Sequence, residues 1–186
     1  SVFYDLKEPN IFLKEISSVI DKDIGIFVLE HADLLSIIKN NLFDTICHEH
    51  LAYYSVNIIN EMCKKNDLKI FDIETNDING GSTRFYISHK NAKYKIQNSK
   101  IKKFIKIENR NKIDKLITYK KFFLRIKNIK QKLKLFLLKK KREGKIIHGY
   151  GASTKGNLLL QYFNIGNQIV SKIAERNPNK VGCFTP

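Results

Sequence analysis

The stretch GKIIHGYGASTKGNLLLQYF at 144 to 163 constrains this chain most, because an apolar run, a glycine turn and a helical pattern follow one another without a break. Such a succession reads as a strand feeding directly into a helix, and a second apolar run at 168 to 175 supplies the returning strand. Two strands joined through a helix run parallel, since a tight hairpin can only reverse the chain. The sequence therefore requires at least one β-α-β unit and excludes an all-helical or all-antiparallel fold.

The N-terminal half follows a similar grammar. The opening VFY reads as a strand, and NIFLKEISSVI at 10 to 20 places Ile11, Phe12, Ile16, Val19 and Ile20 on one helix face behind Pro9. IGIFVL at 24 to 29 has strand length, and helices follow at 33 to 40 and 56 to 65. LKIFDIE at 68 to 74 and TRFYISH at 83 to 89 alternate as strands around the Asn79, Gly80, Gly81 turn, which predicts an antiparallel edge hairpin closing a parallel sheet. Residues 91 to 111 are polar and read as a linker and the approach to a second domain. Between 112 and 142, Ile113, Leu116, Ile117, Phe123, Ile126, Ile129, Leu133, Phe136 and Leu137 recur at helical spacing, and Gly144 ends the helix.

Composition narrows the partners. The chain has 34 Lys and Arg against 18 Asp and Glu, a net charge of +16 that attracts phosphate-bearing ligands. Lys, Asn and Ile crowd every segment alike, so the charge reads as a compositional bias before it reads as a nucleic-acid surface. Cys47, Cys63 and Cys183 form no CxxC pair, which disfavours a disulfide framework or a zinc knuckle and fits a reducing cytoplasm. No apolar run approaches the ~20 residues that cross a bilayer.

Three places carry candidate chemistry. His48, Glu49 and His50 concentrate acid-base groups before the helix at 56, where a His can serve as a general base with a carboxylate to orient it. The bland alternative is a polar loop whose histidines only satisfy local hydrogen bonds; HExxH is not matched and no metal set is complete. Tyr53 and Tyr54 follow closely, as core anchors or as hydroxyl donors. Gly149, Gly151, Ser153, Lys155 and Asn157 lie where a strand meets a helix, so backbone N–H groups and one cation can meet a pyrophosphate. The spacing is GxGxxxxG, neither the dinucleotide fingerprint nor a Walker loop, and a tight turn needing glycine dihedrals would explain it too. Glu175, after the next strand, stands where a ribose-binding acid sits in nicotinamide domains. Arg84, after the double glycine, is a candidate phosphate clamp or a solvated edge residue.

Taken in order, FDTICHEHLAYYS, NGGSTRFYISH, GKIIHGYGASTKGNLLLQYF and IAERNPNKVGCFTP resemble successive signatures of C-methyltransferases that act on thymidine-diphosphate-linked keto sugars. The resemblance implies the C-terminal half of a class I, Rossmann-like methyltransferase sheet over 1–90 and a second Rossmann-like α/β domain over 91–186. It further implies S-adenosylmethionine as cofactor, with its glycine-rich loop and a zinc-binding domain preceding this chain, and a nucleotide sugar as substrate. Sequence is expected to be missing on both sides. The family's catalytic Glu-His pair falls on Glu49 and His50, and Tyr53, Arg84, Gly149, Gly151, Ser153, Lys155 and Asn157 fall to the substrate. Two positions depart from the pattern: Cys47 stands where the family commonly has Tyr, and Asp5 where it often has His. A nicotinamide-dependent oxidoreductase and a basic nucleic-acid-binding module are the alternatives.

Overall fold

A computed structural model describes residues 2–185, which divide into two compact units. Of the described residues, the first comprises 2–42 and 48–122, the second 43–47 and 123–185.

In the first unit, helix α1 (Pro9–Val19) precedes strand β1 (Ile26–Ala32), and α2 (Leu34–Asn40) follows it. Helix α3 (Val56–Lys65) leads to β2 (Leu68–Asn76), which a short turn joins to β3 (Ser82–His89), and α4 (Asn98–Arg110) returns over them. The sheet order is β1-β3-β2, with both pairings antiparallel. β1 and β2 thus run the same way, and β3 fills the gap between them. This corrects the expected edge hairpin: β3 is the central strand, because the hairpin folds it back against β1 as well as β2. Its alternation explains the position, since Thr83, Phe85 and Ile87 are buried while Arg84 and Tyr86 are only half-buried. Opposite Phe85 stand Leu29 on β1 and Ile73 on β2, and the core continues through Ile59, Cys63 and Leu13 of the helices.

Two further expectations are corrected. Phe3–Asp5 form a 3₁₀ turn, not a strand, because the Tyr4 carbonyl is turned toward the loop at 51 and 52, where it accepts N–H groups from Leu51 (2.9 Å) and Ala52 (3.1 Å). The polar segment after residue 90 holds α4, which buries Ile101 against the core and packs Phe104 and Ile105 beside it. Three apolar residues at helical spacing are enough to seat a short helix whose other faces stay wet.

Helix α5 (Leu116–Arg142) begins in the first unit and continues in the second, and Gly144 follows it at φ +76°. Strand β4 (His148–Tyr150) pairs parallel with β5 (Lys172–Ala174), and α6 (Thr154–Phe163) connects them. The β-α-β unit is therefore present, with strands shorter than the apolar runs at 145–150 and 168–175 suggested. Among its described residues the second unit has one parallel strand pair, α6 and most of α5, and the sheet of the expected second Rossmann-like domain is represented by those two short strands alone. Phe43 stacks on Phe163 within this unit, ring centroids 5.1 Å apart at 27°. No helix among the described residues is long and apolar enough to cross a membrane.

Candidate functional site

The loop between the 3₁₀ turn Phe43–Thr45 and α3 carries His48, Glu49 and His50, and it is anchored at its C-terminal end. Two hydrogen bonds from Leu51 and Ala52 tie it to Tyr4. Helix α3 then starts with every N–H of its first turn occupied. Ser55 caps it by accepting from Ile58, while Glu108 of α4 accepts from Val56 at 2.6 Å and from Asn57 at 3.1 Å. Such N-terminal groups have no partner inside a helix, so a carboxylate there satisfies two donors at once and sits at the positive end of the helix dipole. Glu108 is 2% exposed. Burial pushes its carboxyl up from the ordinary value, against the opposing pull of the Val56 and Asn57 N–H groups. Sequence reasoning missed Glu108 because its partners lie some fifty residues earlier, and only a lone acid within a lysine-rich polar stretch hinted at it.

The two histidines of the loop differ in how they are held. His48 is largely exposed, with Nε2 4.0 Å from Glu49 Oε1, a contact that becomes an ion pair only when the imidazole is protonated. His50 is half-buried between two aromatic rings, with Tyr4 at 4.2 Å and 51° and Tyr53 at 6.3 Å and 64° between centroids. Its Nδ1 is buried and makes no hydrogen bond with the described residues. His50 is thus held by ring packing on two sides, which His48 is not. Glu49 is exposed and its nearest basic partner is His48. Tyr53 flanks His50, whereas Tyr54 is buried in the core against Phe3. Asp5 is exposed and adjoins Tyr4 in the same turn.

In the same unit the sheet carries a buried imidazole on β1. His31 is 1% exposed, stacked on Phe85 at 5.3 Å, with Nδ1 at 2.9 Å from the Ala32 carbonyl. Burial lowers its pKa below the usual 6.5, so it is held neutral. Arg84 donates from Nε to Glu30 at 2.6 Å, and Asn76 donates to the other oxygen of the same carboxylate at 3.1 Å. The guanidinium thus stands in an ion pair on the face of the sheet away from the core.

In the second unit the glycine turn is bound back onto its own strand pair. Gly149 lies so close to β5 that a Cβ there would meet Ile173 Cγ1 at 3.1 Å, and Gly151 has φ +88°. The Ala152 N–H donates to Glu175 at 2.7 Å, and Lys180 Nζ donates to the Ala152 carbonyl at 2.7 Å. N–H groups of Asn177, Ala152 and Arg176 together hold the Glu175 carboxyl below its ordinary value. Glu175, the candidate ribose acid, is used here to pin the turn. Ser153 caps α6 by accepting from Gly156 at 3.0 Å, Lys155 lies in the first turn, and Asn157 Oδ1 is buried without a partner among the described residues. Gly149, Gly151, Ser153, Lys155 and Asn157 are therefore brought together at one strand-to-helix junction. Beside it lies a cavity of about 820 Å³ lined by Ala152, Leu160, Asn164, Ile173, Glu175 and Lys180, among others.

No group of three or more His, Cys, Asp or Glu among the described residues is arranged to hold a metal ion. The three cysteines are free, and burial pushes the Cys63 thiol up to about 12. The glycines of the first unit among the described residues lie elsewhere than at a strand-to-helix turn: Gly25 precedes β1, and Gly80 and Gly81 belong to the hairpin.

Comparison with known proteins gives two concordant findings. The chain is 28% identical over 184 residues to C-methyltransferase NovU from Streptomyces niveus, an overlap that covers 99% of this chain and 43% of that relative. It spans less than half the relative's length. The family model for the C-methyltransferase C-terminal domain matches residues 77–186, which is more than half of the chain, and this chain belongs to that family.

Proposed function

We propose that the chain forms part of an S-adenosylmethionine-dependent C-methyltransferase that methylates a carbon, C3, of a nucleotide-linked 4-keto deoxysugar. The observation that carries this reading is the clasped His50, presented by an anchored loop in a chain that aligns along 99% of its length with a C-methyltransferase. A carbon proton beside a ketone is a weak acid, so a positioned imidazole can remove it only where hydrogen-bond donors stabilise the enolate into which the electron pair passes. His50 takes that proton. Glu49, the preceding residue, is assigned as its orienter, although its side chain here meets His48. Tyr53, whose ring flanks His50, is assigned to the substrate, with its hydroxyl as a donor to the enolate oxygen.

Arg84, Gly149, Gly151, Ser153, Lys155 and Asn157 complete the substrate assignment, the last five as a pyrophosphate cradle at the start of α6. The cofactor supplies an electrophilic methyl group. This reading assigns the cofactor's principal contacts to other parts of the parent enzyme. In this reading they belong, with the zinc, to preceding domains; residues 1–90 close the methyltransferase sheet, residues 91–186 form the C-terminal domain, and the enzyme works in the cytoplasm.

The test is methyl transfer from labelled S-adenosylmethionine to a thymidine-diphosphate 4-keto sugar by the full-length parent, wild type against His50→Asn. Label on the sugar carbon with wild type, and a loss of about 100-fold or more in the variant, is the expected result. Transfer undiminished in the variant would remove His50 from the mechanism, and absence of transfer by wild type would remove the reaction.

A further inference from the structure

We propose that Tyr4 is a positioning residue for His50, fixing the plane of the imidazole by aromatic packing; this rests on the reading of His50 as the base. Tyr4 grips the loop twice. Its carbonyl accepts the N–H groups of Leu51 and Ala52, the two residues that follow His50, and its ring packs against the His50 ring at 4.2 Å. Tyr53 closes a second side at 6.3 Å.

The terminal torsion of a histidine is broad and roughly two-fold, so something outside the residue has to choose the plane. A hydrogen bond to one nitrogen usually does this. Here the buried Nδ1 makes none with the described residues, which leaves ring packing as the orienting contact. Tyr4 also packs against the hydrophobic core beneath, so the ring that orients His50 is itself supported. His48, two residues earlier, has no such clasp and is 85% exposed along its side chain. The sequence gives no sign of this pairing, because Tyr4 lies in a turn at the far end of the chain and touches the loop only after folding.

The experiment compares Tyr4→Phe, Tyr4→Leu and Tyr4→Met in the full-length parent, measuring kcat and KM separately with the same labelled cofactor and keto sugar. Tyr4→Phe keeps the ring and is expected to retain wild-type kcat. Tyr4→Leu and Tyr4→Met refill the space without a ring, and kcat is expected to fall by about 10- to 100-fold with KM nearly unchanged, since a misplaced catalytic group costs rate more than binding. The proposal is overturned if either apolar variant keeps wild-type kcat, or if Tyr4→Phe falls as far as they do, which would assign the effect to the hydroxyl. A crystal structure of an apolar variant in which His50 keeps its plane would overturn it independently of the rates. Failure of the wild type to transfer methyl at all would instead strike the proposed reaction, so the two failures are distinct.

Discussion

Two loops carry the candidate chemistry, and they are stabilised in opposite ways. The loop at 47–54 has its backbone anchored by the Tyr4 carbonyl and, at the helix that follows, by Ser55 and Glu108, while the side chains of His48 and Glu49 remain exposed. The turn at 149–153 is closed from within: Glu175 takes its N–H and Lys180 takes its carbonyl. The contrast separates two kinds of site. A loop held by its backbone presents acid-base groups, whereas a turn whose backbone is partly consumed presents only the donors that remain, those at the first turn of α6.

The largest test of that comparison is Glu108→Ala. It strands two buried N–H donors at the start of α3 and removes a charge-dipole contact, and we expect the first unit to lose about 3 kcal/mol in urea unfolding followed by circular dichroism. Glu108→Gln retains one acceptor and should lose roughly half as much. A loss below about 0.5 kcal/mol for the alanine variant would mean that the loop is anchored by Tyr4 alone. Next in size is Gly151→Ala. Nothing lies within 4 Å of the added methyl, so the cost is purely that of forcing φ +88° on an L-residue, roughly 1–2 kcal/mol against the second unit. An unchanged midpoint there would show that the turn adjusts its backbone freely.

Periodicity made most of the fold legible. α1, α2, α3 and α6, and the hairpin of β2 and β3, fall close to where apolar spacing places them, because each buries a face or stripe that the pattern reveals. The centre of the sheet was not legible. That β3 pairs with β1 depends on a contact between strands some fifty residues apart, such as Leu29 with Phe85, which no local pattern encodes. α4 was hidden by its lysines, as only Ile101, Phe104 and Ile105 mark its buried side. The same limit applies at the site. His48, Glu49 and His50 could be read as a cluster, but the partition into an exposed pair and a clasped imidazole comes from Tyr4, and the loop's foundation comes from Glu108.

His31 offers a smaller and pH-dependent test of how the first unit supports its loop. Its folded pKa lies below the usual 6.5, so the unfolded chain binds a proton that the folded chain refuses. Stability is thus fully present above about pH 7 and begins to be lost as pH falls through about 6.5, the unfolded value. Asp33 pulls in the opposite direction and limits the loss, and Glu108, whose pKa is raised, contributes a term of opposite sign at lower pH. The difference between wild type and His31→Phe isolates the imidazole. Equal pH slopes for the two proteins would show that His31 takes up its proton in the folded state.

The smallest expected effect bears on the second loop. If the turn at 149–153 meets a pyrophosphate, the Glu175 carboxylate is a like charge placed against it, retained because its N–H contacts hold the turn in shape. Glu175→Gln keeps an acceptor for Ala152 and removes the charge. Affinity for inorganic pyrophosphate, measured by calorimetry at low salt, should then rise about fivefold, which is what one charge near a helix start is worth. The gain should fade as salt is raised, because the groups are exposed and screened. Weaker binding would mean that the geometry Glu175 imposes matters more than its charge, and the two loops would then follow one rule, in which a satisfied backbone comes first and the chemistry is built on top of it.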